Sequence, residues 1–530
     1  MDSPVVKPKI TLGLSIDVNA AQVIIKTLRG LGIKRVFSTT GTDHVAFLVE
    51  DFPELVLVKH ELEAISAAIG SSLKGEMGCA LLHTVPGTGN SLGAIMNAFT
   101  SRIPLIIMAG IAPTTEGGIG KNLRTHWTQE VKDQREIVRQ ITKLDMEIKD
   151  PSMAEQVLVR AYSVAMSEPR GPVYIAFSRE VSLGESQIRN KKPSYYEPGP
   201  TLDEINKVKE MIEESENPII VTWRGGRRRQ WFHSLKSFAE RSNIPVMNFA
   251  GEVLNYPSTG KMSIVNADLN KNDLIIVVES EVPWSPPDKV KGSVIKVDVD
   301  PLYSYLPTYG FDCTLCIQST VSSLFDNLQV RKKDVEVKDW RKDLKMEVEK
   351  LSSMSKVNPR YLSWEIGRLK PDTIYNEYVL NPVYAMPENF ASYFADLSSN
   401  HLGWTLGASI GGALVSGGYS VVTMGDGAFI LGVPEAFYDL AVSLSIPVTV
   451  VIYDNSGYLA VEENVEAITD RTPLEGVKYK RFRIGETVKA FNGFYRLVEE
   501  PCEVPDALRE AKRETMMGKI SVVQVVTQGR

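Results

Sequence analysis

Apolar residues in this chain recur with two alternating periods. Short apolar runs, rich in β-branched residues and bounded by turn formers, mark strands at 35–38, 55–58, 78–82, 104–109 and 171–177. Between them, apolar positions three and four apart mark helices at 20–31, 45–50, 62–73 and 92–101. A Pro- and Tyr-containing stretch, 191–200, interrupts the pattern, which then resumes. Strands are expected at 218–223, 245–248, 274–279 and 294–299, with helices at 202–214 and 231–241. Residues 329–359 are charged and helical with little periodicity, and read as a long linker. A third block carries strands at 373–380, 419–424, 446–453, 492–499 and 520–526, with a helix at 434–445. Strand–helix alternation of this kind predicts an α/β protein whose mostly parallel sheets have helices on both faces. The expected domains are 1–188, 200–330 and 358–530.

Composition narrows the function classes. A chain of 530 residues is too long for one core, so several domains are expected. Hydrophobic and charged contents of 43% and 23% are ordinary for a globular protein. A net charge of −6 gives no bias toward nucleic acid. No apolar run reaches the roughly 18 residues of a membrane span, and the first residues show no uninterrupted apolar core of a signal peptide. No membrane partner and a cytoplasmic location are therefore expected. The CxxC at Cys313 and Cys316 has no second pair with which to build a zinc site, and reads as ordinary thiols. The basic run 224–229, RGGRRR, reads as a solvated loop rather than a phosphate grip.

The most informative stretch is GDGAFILGVPEAFYDLAVSLSIPVTVVIYDNSGY, residues 425–458. It lies between and beyond two apolar strands joined by a helix. A right-handed crossover makes such strands parallel. Gly425-Asp426-Gly427 reads as a tight turn, and Asp426 and Asn455 then fall at carboxyl ends of strands, where open α/β sheets bind ligands. One carboxylate, one amide oxygen and a backbone carbonyl at Gly457 suit Mg²⁺, a hard cation that keeps phosphate and water in its shell.

In order and spacing this stretch resembles the thiamine diphosphate (ThDP) motif of the 2-oxoacid decarboxylases and carboligases, the family of acetolactate synthase, pyruvate decarboxylase and benzoylformate decarboxylase. The resemblance implies Asp426, Asn455 and Gly457 as Mg²⁺ ligands, and Gly425, Asp426, Gly427, Ala428, Asn455, Gly457 and Tyr458 around the cofactor. Asp454 stands where the family commonly has Asn. In SSNHLGWTLGASIGG, Leu402 matches the residue that props the cofactor, and His401 replaces a glycine, so that it reaches toward the site.

The first domain carries a second set of matches. Read by itself, Glu61 is a first-turn carboxylate complementing a helix dipole. The segment LVLVKHELEAISAAIG resembles the family's strand, acidic residue and Ala-rich helix, which implies that Glu61 hydrogen-bonds the aminopyrimidine of ThDP. Glu63 is the competing carboxylate, two residues off the matching position. His83, before the GTGN loop, is similar to an active-site His of benzoylformate decarboxylase, and Thr42 to its substrate-contacting Ser. That decarboxylase's second His has no counterpart in 281–286. Gln129 matches a site-facing Gln of acetolactate synthases.

The resemblance implies pyrimidine-binding, central and diphosphate-binding domains, and a homodimer or dimer of dimers with intersubunit active sites. It implies an acetolactate synthase-like enzyme that decarboxylates a 2-oxo acid and releases an aldehyde or ligates the remaining fragment to a second carbonyl. The alternatives are a decarboxylase of aromatic 2-oxo acids, a CoA-thioester lyase, or a catalytically inactive ThDP-fold subunit. The central domain lacks a flavin-contacting pattern, so FAD is not expected.

Overall fold

The computed structural model describes residues 18–528 except 53, 118–123, 249–250 and 474. The first seventeen residues, where the sequence shows no signal-like core, lie outside them. Three six-stranded sheets organise the chain, and every strand pairing within them is parallel. The first contains β1 (Arg35–Ser38), β2 (Glu54–Leu57), β3 (Gly78–Leu82), β4 (Leu105–Gly110), β5 (Leu144–Ile148) and β6 (Pro172–Phe177), in the order β2-β1-β3-β4-β6-β5. The second contains β7 (Pro218–Thr222), β8 (Val246–Met247), β9 (Ser263–Ile264), β10 (Leu274–Val278), β11 (Ser293–Asp298) and β12 (Leu315–Gln318), ordered β9-β8-β7-β10-β11-β12. The third contains β13 (Thr373–Asn376), β14 (Tyr393–Ala395), β15 (Ser420–Gly425), β16 (Val448–Asp454), β17 (Phe494–Val498) and β18 (Ser521–Val526), ordered β14-β13-β15-β16-β18-β17. The central strands are buried on both faces, which is why they read as continuous apolar runs.

Helices α1 (Glu61–Leu73), α2 (Thr84–Asn90), α3 (Leu92–Thr100) and α4 (Arg124–Thr128) belong to the first sheet, and α5 (Arg229–Ser242) to the second. The third carries α6 (Trp404–Ser416), α7 (Asp426–Leu431), α8 (Pro434–Ser443) and α9 (Leu459–Thr469). Among the described residues no helix is long and apolar enough to cross a membrane.

The first and third sheets are joined through α1 and α6. A Cβ placed on Gly70 would lie 1.9 Å from Ala408 O, and one on Gly411 would lie 1.8 Å from Ala67 O. Backbone therefore meets backbone along this crossing, and residues from both domains share one core that includes Ile65, Ile69, Trp404 and Ile410.

Several local expectations are corrected. Gly425-Asp426-Gly427 is not a tight turn: Gly425 is extended (φ −74°) and caps α7, so strand runs directly into helix. Residues 84–90, expected as loop, form α2; Pro86 sits in the first turn, where its missing N–H costs nothing. Cys313 and Cys316 are disulfide-bonded rather than free, their Cα atoms brought to 5.7 Å by the turn that enters β12. Within the charged linker the expected helix runs over Leu344–Ser352, and it is packed rather than free, burying Leu344 and Val348 in a core. The RGGRRR loop is exposed to solvent only at its end, Arg229. Arg224 is 1% exposed and pairs with Glu281 at 2.6 Å, while Arg227 pairs with Glu168 at 2.8 Å and Glu279 at 3.2 Å. Arg102 of the first domain joins them through Glu279 and Asp298. Carboxylates drawn from separate segments make burial of these guanidiniums affordable, which the local sequence does not reveal.

Gly411→Ala forces a methyl group into Ala67 O and must part α1 from α6. Overpacking of this kind costs about 1–3 kcal/mol or more. The thermal unfolding midpoint is expected to fall by several degrees, and an unchanged midpoint would remove the close helix contact from its central place.

Candidate active site

The third domain brings its predicted residues together. Strands β15 and β16 are neighbours, with Gly425 opposite Tyr453 in the pairing register. Asp426 and Asn455 therefore leave adjacent strands at the same end of the sheet. Asp426 is 2% exposed and its Oδ2 has no hydrogen-bond partner; the buried Oδ1 of Asn455 has none either. Burial, and then the charge of Asp454, push the Asp426 carboxyl up to about 6. A carboxylate kept near another in a dry site is electrostatically incomplete.

Asp454, by contrast, is fully engaged. Its Oδ1 accepts from Ser456 N at 3.0 Å, and its Oδ2 accepts from Gln524 Nε2 at 2.8 Å and meets Arg481 Nε at 2.7 Å. It anchors the loop that presents Asn455. Gly427 lies under two rings: a Cβ there would be 2.9 Å from Tyr458 and 3.0 Å from the Tyr479 hydroxyl. Gly457 is pressed against Val477 O, at 2.6 Å from its would-be Cβ. Every third-domain residue predicted at the cofactor, from Leu402 to Tyr458, lines one cavity of about 270 Å³.

Leu402 is held by a neighbour to which the sequence assigned no role. Glu377, 2% exposed, accepts from Gly403 N at 2.9 Å, Thr405 N at 3.0 Å and Thr405 Oγ1 at 2.7 Å, so one carboxylate caps the start of α6. Gly403 needs its left-handed φ of +90°, and a Cβ on it would strike Gly432 Cα at 2.3 Å. His401 is placed differently from Leu402. Its ring lies against Gly93 of α3, where a Cβ would be 2.2 Å from Nδ1, and its backbone exchanges hydrogen bonds with the Asn97 side chain. It is not among the residues lining the cavity, and burial lowers its imidazole pKa.

The first domain forms a second constellation. Glu61 opens α1, accepting from Thr39 Oγ1 at 2.8 Å and Asn90 Nδ2 at 3.0 Å. Gly87 packs against it, its would-be Cβ 3.2 Å from Glu61 Oε1. Glu63 is 4% exposed, neither of its oxygens has a partner, and burial followed by the charge of Asp439 raises its carboxyl to about 8. It is a buried acid beside the third domain, separate from the Glu61 network.

His83 follows β3, and its Nδ1 meets Asp43 Oδ1 at 2.6 Å. That hydrogen bond raises the His83 pKa, opposed by burial and aided by the charges of Asp43 and Glu61. Its Nε2 lies 3.3 Å from Gln129 Nε2, while Gln129 Oε1 is buried without a partner. Turning the amide over would give that oxygen to the imidazole, an assignment left open by heavy-atom positions. Thr42 Oγ1 lies 2.6 Å from His126 Nε2, and Arg179 donates to Thr42 O at 2.9 Å. Asp43 and His126 were missed by sequence reasoning. The only signal was their nearness to Thr42 and Gln129, because their partners lie 40 and 84 residues away.

The site therefore comes as two halves, and no first-domain residue lines the 270 Å³ cavity. Among the described residues no group of three His, Cys, Asp or Glu forms a metal cluster. The donors on offer are one carboxylate, one amide and a carbonyl, a hard-oxygen set that fits Mg²⁺ with a diphosphate. The orphaned oxygens and the glycine cradle fit the pair as well.

Two family models match the chain: the thiamine pyrophosphate enzyme N-terminal TPP-binding domain over residues 18–137, and its C-terminal TPP-binding domain over 379–525. The chain belongs to the thiamine diphosphate-dependent enzymes, in the group that contains decarboxylases and acetolactate synthases. Its match to the acetolactate synthase large subunit of Haemophilus influenzae is 24% identical and takes in 53% of each chain. A probable acetolactate synthase large subunit of Methanocaldococcus jannaschii is also 24% identical, over 82% of this chain and 80% of its own. The ThDP-dependent 4-hydroxybenzoylformate decarboxylase of Rhodococcus jostii RHA1 superposes with a TM-score of 0.83 at 20% identity, covering 97% of this chain and 100% of that one. At such identity the superposition speaks for the fold.

Asp43→Asn removes the charge that favours imidazolium. The sign follows directly: the Asp43 bond raises the His83 pKa, so the variant's His83 should lose its proton at lower pH. Histidine-selective NMR titration is expected to show a downward shift of the His83 midpoint. An unmoved titration would separate the two groups.

Proposed function

We propose that this chain is a ThDP- and Mg²⁺-dependent 2-oxoacid decarboxylase/carboligase of the acetolactate synthase-like class. The observation that carries the reading is the pair of buried, unpartnered oxygens on Asp426 and Asn455, side by side at strand ends in one cavity. Two such oxygens in one donor set, at the ends of adjacent strands, call for a cation. Asp426 and Asn455, with the carbonyl of Gly457, hold Mg²⁺ against the diphosphate, and Gly425, Gly427 and Ala428 let backbone approach it. Bound ThDP supplies the carbon nucleophile and electron sink by which a 2-oxo acid loses CO₂.

The other steps belong to side chains. Glu61, positioned by Thr39 and Asn90, holds a proton at the aminopyrimidine. Leu402, fixed through Glu377 and Gly403, props the cofactor. His83 is the acid–base on the substrate side: its Nδ1 is committed to Asp43, so Nε2 is the atom that exchanges protons. Release of an aldehyde requires one proton on the former carbonyl carbon, and His83 delivers it. Thr42 and His126 border the same space. His401 packs against α3, which leaves it a weaker candidate for proton transfer.

Because the Glu61 and Asp426 halves lie in separate places within one chain, we assign the complete site to a homodimer in which each copy supplies one half. The exposed apolar residues Leu48, Leu57 and Trp127 on the first domain, and Leu431, Tyr458 and Val461 on the third, suit burial in such an interface. An aromatic 2-oxo acid is the second reading, supported by His83 and by likeness to the benzoylformate decarboxylases. An inactive subunit fits poorly, since it has no use for a shaped acid and two cation ligands.

Asp426→Ala should weaken ThDP binding at least about a hundredfold, the upper end of losses seen even for outer-shell changes. Calorimetry with Mg²⁺, and again with EDTA, measures it; equal affinity in the variant or in chelator would sink the metal assignment. Glu61→Gln should retain ThDP but lose about 10²–10⁴-fold in CO₂ release from 2-oxo acids, the range of acid–base roles. Wild-type C2–H exchange of bound ThDP in this variant would refute the role of Glu61.

A further inference from the structure

A second cavity of about 820 Å³ opens beside the cofactor cavity. The two share Pro359, Tyr378, Val379 and Gln528 as a common wall. The larger chamber sits where two sheets point the same kind of edge at each other. Thr222 and Met247 end β7 and β8, Asn266 follows β9, Asn376 ends β13, and Asp396 follows β14. Carboxyl ends of parallel strands are where such sheets bind ligands, and here two sets converge. The volume lies within the roughly 300–1,000 Å³ of small-molecule sites.

Its chemistry is neutral. Arg360 and Asp396 are the only charged residues among those lining it. Arg360 is paired with Glu347 at 3.2 Å, and Asp396 accepts from Tyr378 N at 2.7 Å. A diphosphate-bearing ligand would find no cation cluster. The switch point of the central sheet, between β7 and β10, is already filled by Arg224, Arg227, Glu279 and Glu281. Among its polar groups, Asn266 and Asn381 each spend the carboxamide oxygen on a nearby backbone N–H, at 2.9 and 3.0 Å, leaving Nδ2 for a ligand, and the Gln528 carboxamide adds both a donor and an acceptor. Val221, Met247, Val265 and Val383 supply apolar wall.

Between the cavities stands Tyr378, at a left-handed φ of +64°. A non-glycine residue in that conformation is strained and must be held. The Asp396 carboxylate holds its backbone, and the Asn400 side chain reaches its hydroxyl.

We propose that this chamber receives the distal end of the 2-oxo acid, and that the preferred substrate carries an extended, uncharged substituent bearing hydrogen-bond acceptors. The inference rests on the decarboxylase reading above and narrows its substrate class. A compact acid such as pyruvate would leave 820 Å³ of wall without contact. A substrate ending in a carboxylate would meet amide donors but no free cation. The strained Tyr378 separates reacting end from distal end and fixes where the chain must bend.

The test uses the full chain with ThDP and Mg²⁺. Turnover of pyruvate, 2-oxohexanoate, 6-hydroxy-2-oxohexanoate and 2-oxoadipate is compared, and binding of the unreactive 2,6-dihydroxyhexanoate is measured by calorimetry. The hydroxylated substrate should exceed pyruvate in kcat/KM by at least about tenfold, the worth of one well-filled pocket contact, and 2-oxoadipate should not. Val265→Trp, which fills the chamber, should abolish that advantage and the analogue's binding while pyruvate turnover stays within about twofold. Asn266→Ala, a milder change, should reduce both in the same direction. Equal kcat/KM across the series, or analogue binding untouched by Val265→Trp and Asn266→Ala, overturns the chamber's role. Tight binding of FAD or ADP that Val265→Trp abolishes also overturns it. If no 2-oxo acid turns over but the analogue binds and Val265→Trp removes it, the chamber stands and the decarboxylase reading fails.

Discussion

The close crossing of α1 and α6 is the constraint on which the molecule depends. Gly70, Gly407 and Gly411 bring two helices of different domains within backbone contact. Both helices carry residues of the proposed site at their N-terminal ends: Glu61 opens α1, and Leu402 with Gly403 immediately precedes α6. Helix ends are rigid extensions of helix axes, so fixing the crossing fixes both groups. Larger side chains at the contact would move the ends apart. Small residues thus serve position as much as packing.

Around that contact the charged groups divide into two kinds. Some are spent on architecture. Asp454 ties the loop before α9 to Arg481 and Gln524, Glu377 caps α6, and the cluster of Arg102, Arg224, Arg227, Glu168 and Glu279 locks the central domain to the first. Others are left unfinished, among them both oxygens of Glu63, Asp426 Oδ2 and Asn455 Oδ1. In a low-dielectric interior a satisfied ion pair is inert, while an unsatisfied oxygen is a demand for a ligand. At Asp426 and Asn455 two such oxygens line one cavity from adjacent strands, which sets the pair apart from isolated buried oxygens such as those of Glu63.

The central domain illustrates the same division. Its sheet has the strand order of a dinucleotide-binding fold, yet its switch point is closed by side-chain ion pairs. The open space lies instead at the seam with the third domain, against the cofactor cavity. Fold resemblance at the level of strand order is therefore a poor guide to what this domain takes up.

Much was legible in the sequence, for a local reason. Most strands and helices, the three-block organisation and the placement of Asp426 and Asn455 at strand ends follow from short-range patterning, whereas the edge strands β5, β9, β12 and β14 were not anticipated. Glu61 and His83 were singled out by resemblance to family motifs, and each sits at an element boundary that the pattern marks. The thread from RGGRRR was misread because its carboxylate partners are 28 or more residues distant. Asp43 and His126 were invisible for the same cause. The turn at 425–427 and the loop at 84–90 became helices because each chain leaves its strand directly into a covering helix. By itself the sequence determined the elements and the oxygen donors they carry, since those depend on neighbours along the chain. Only the tertiary structure decided which charges are neutralised, which remain open, and where empty volume lies, because those depend on groups that meet only after folding.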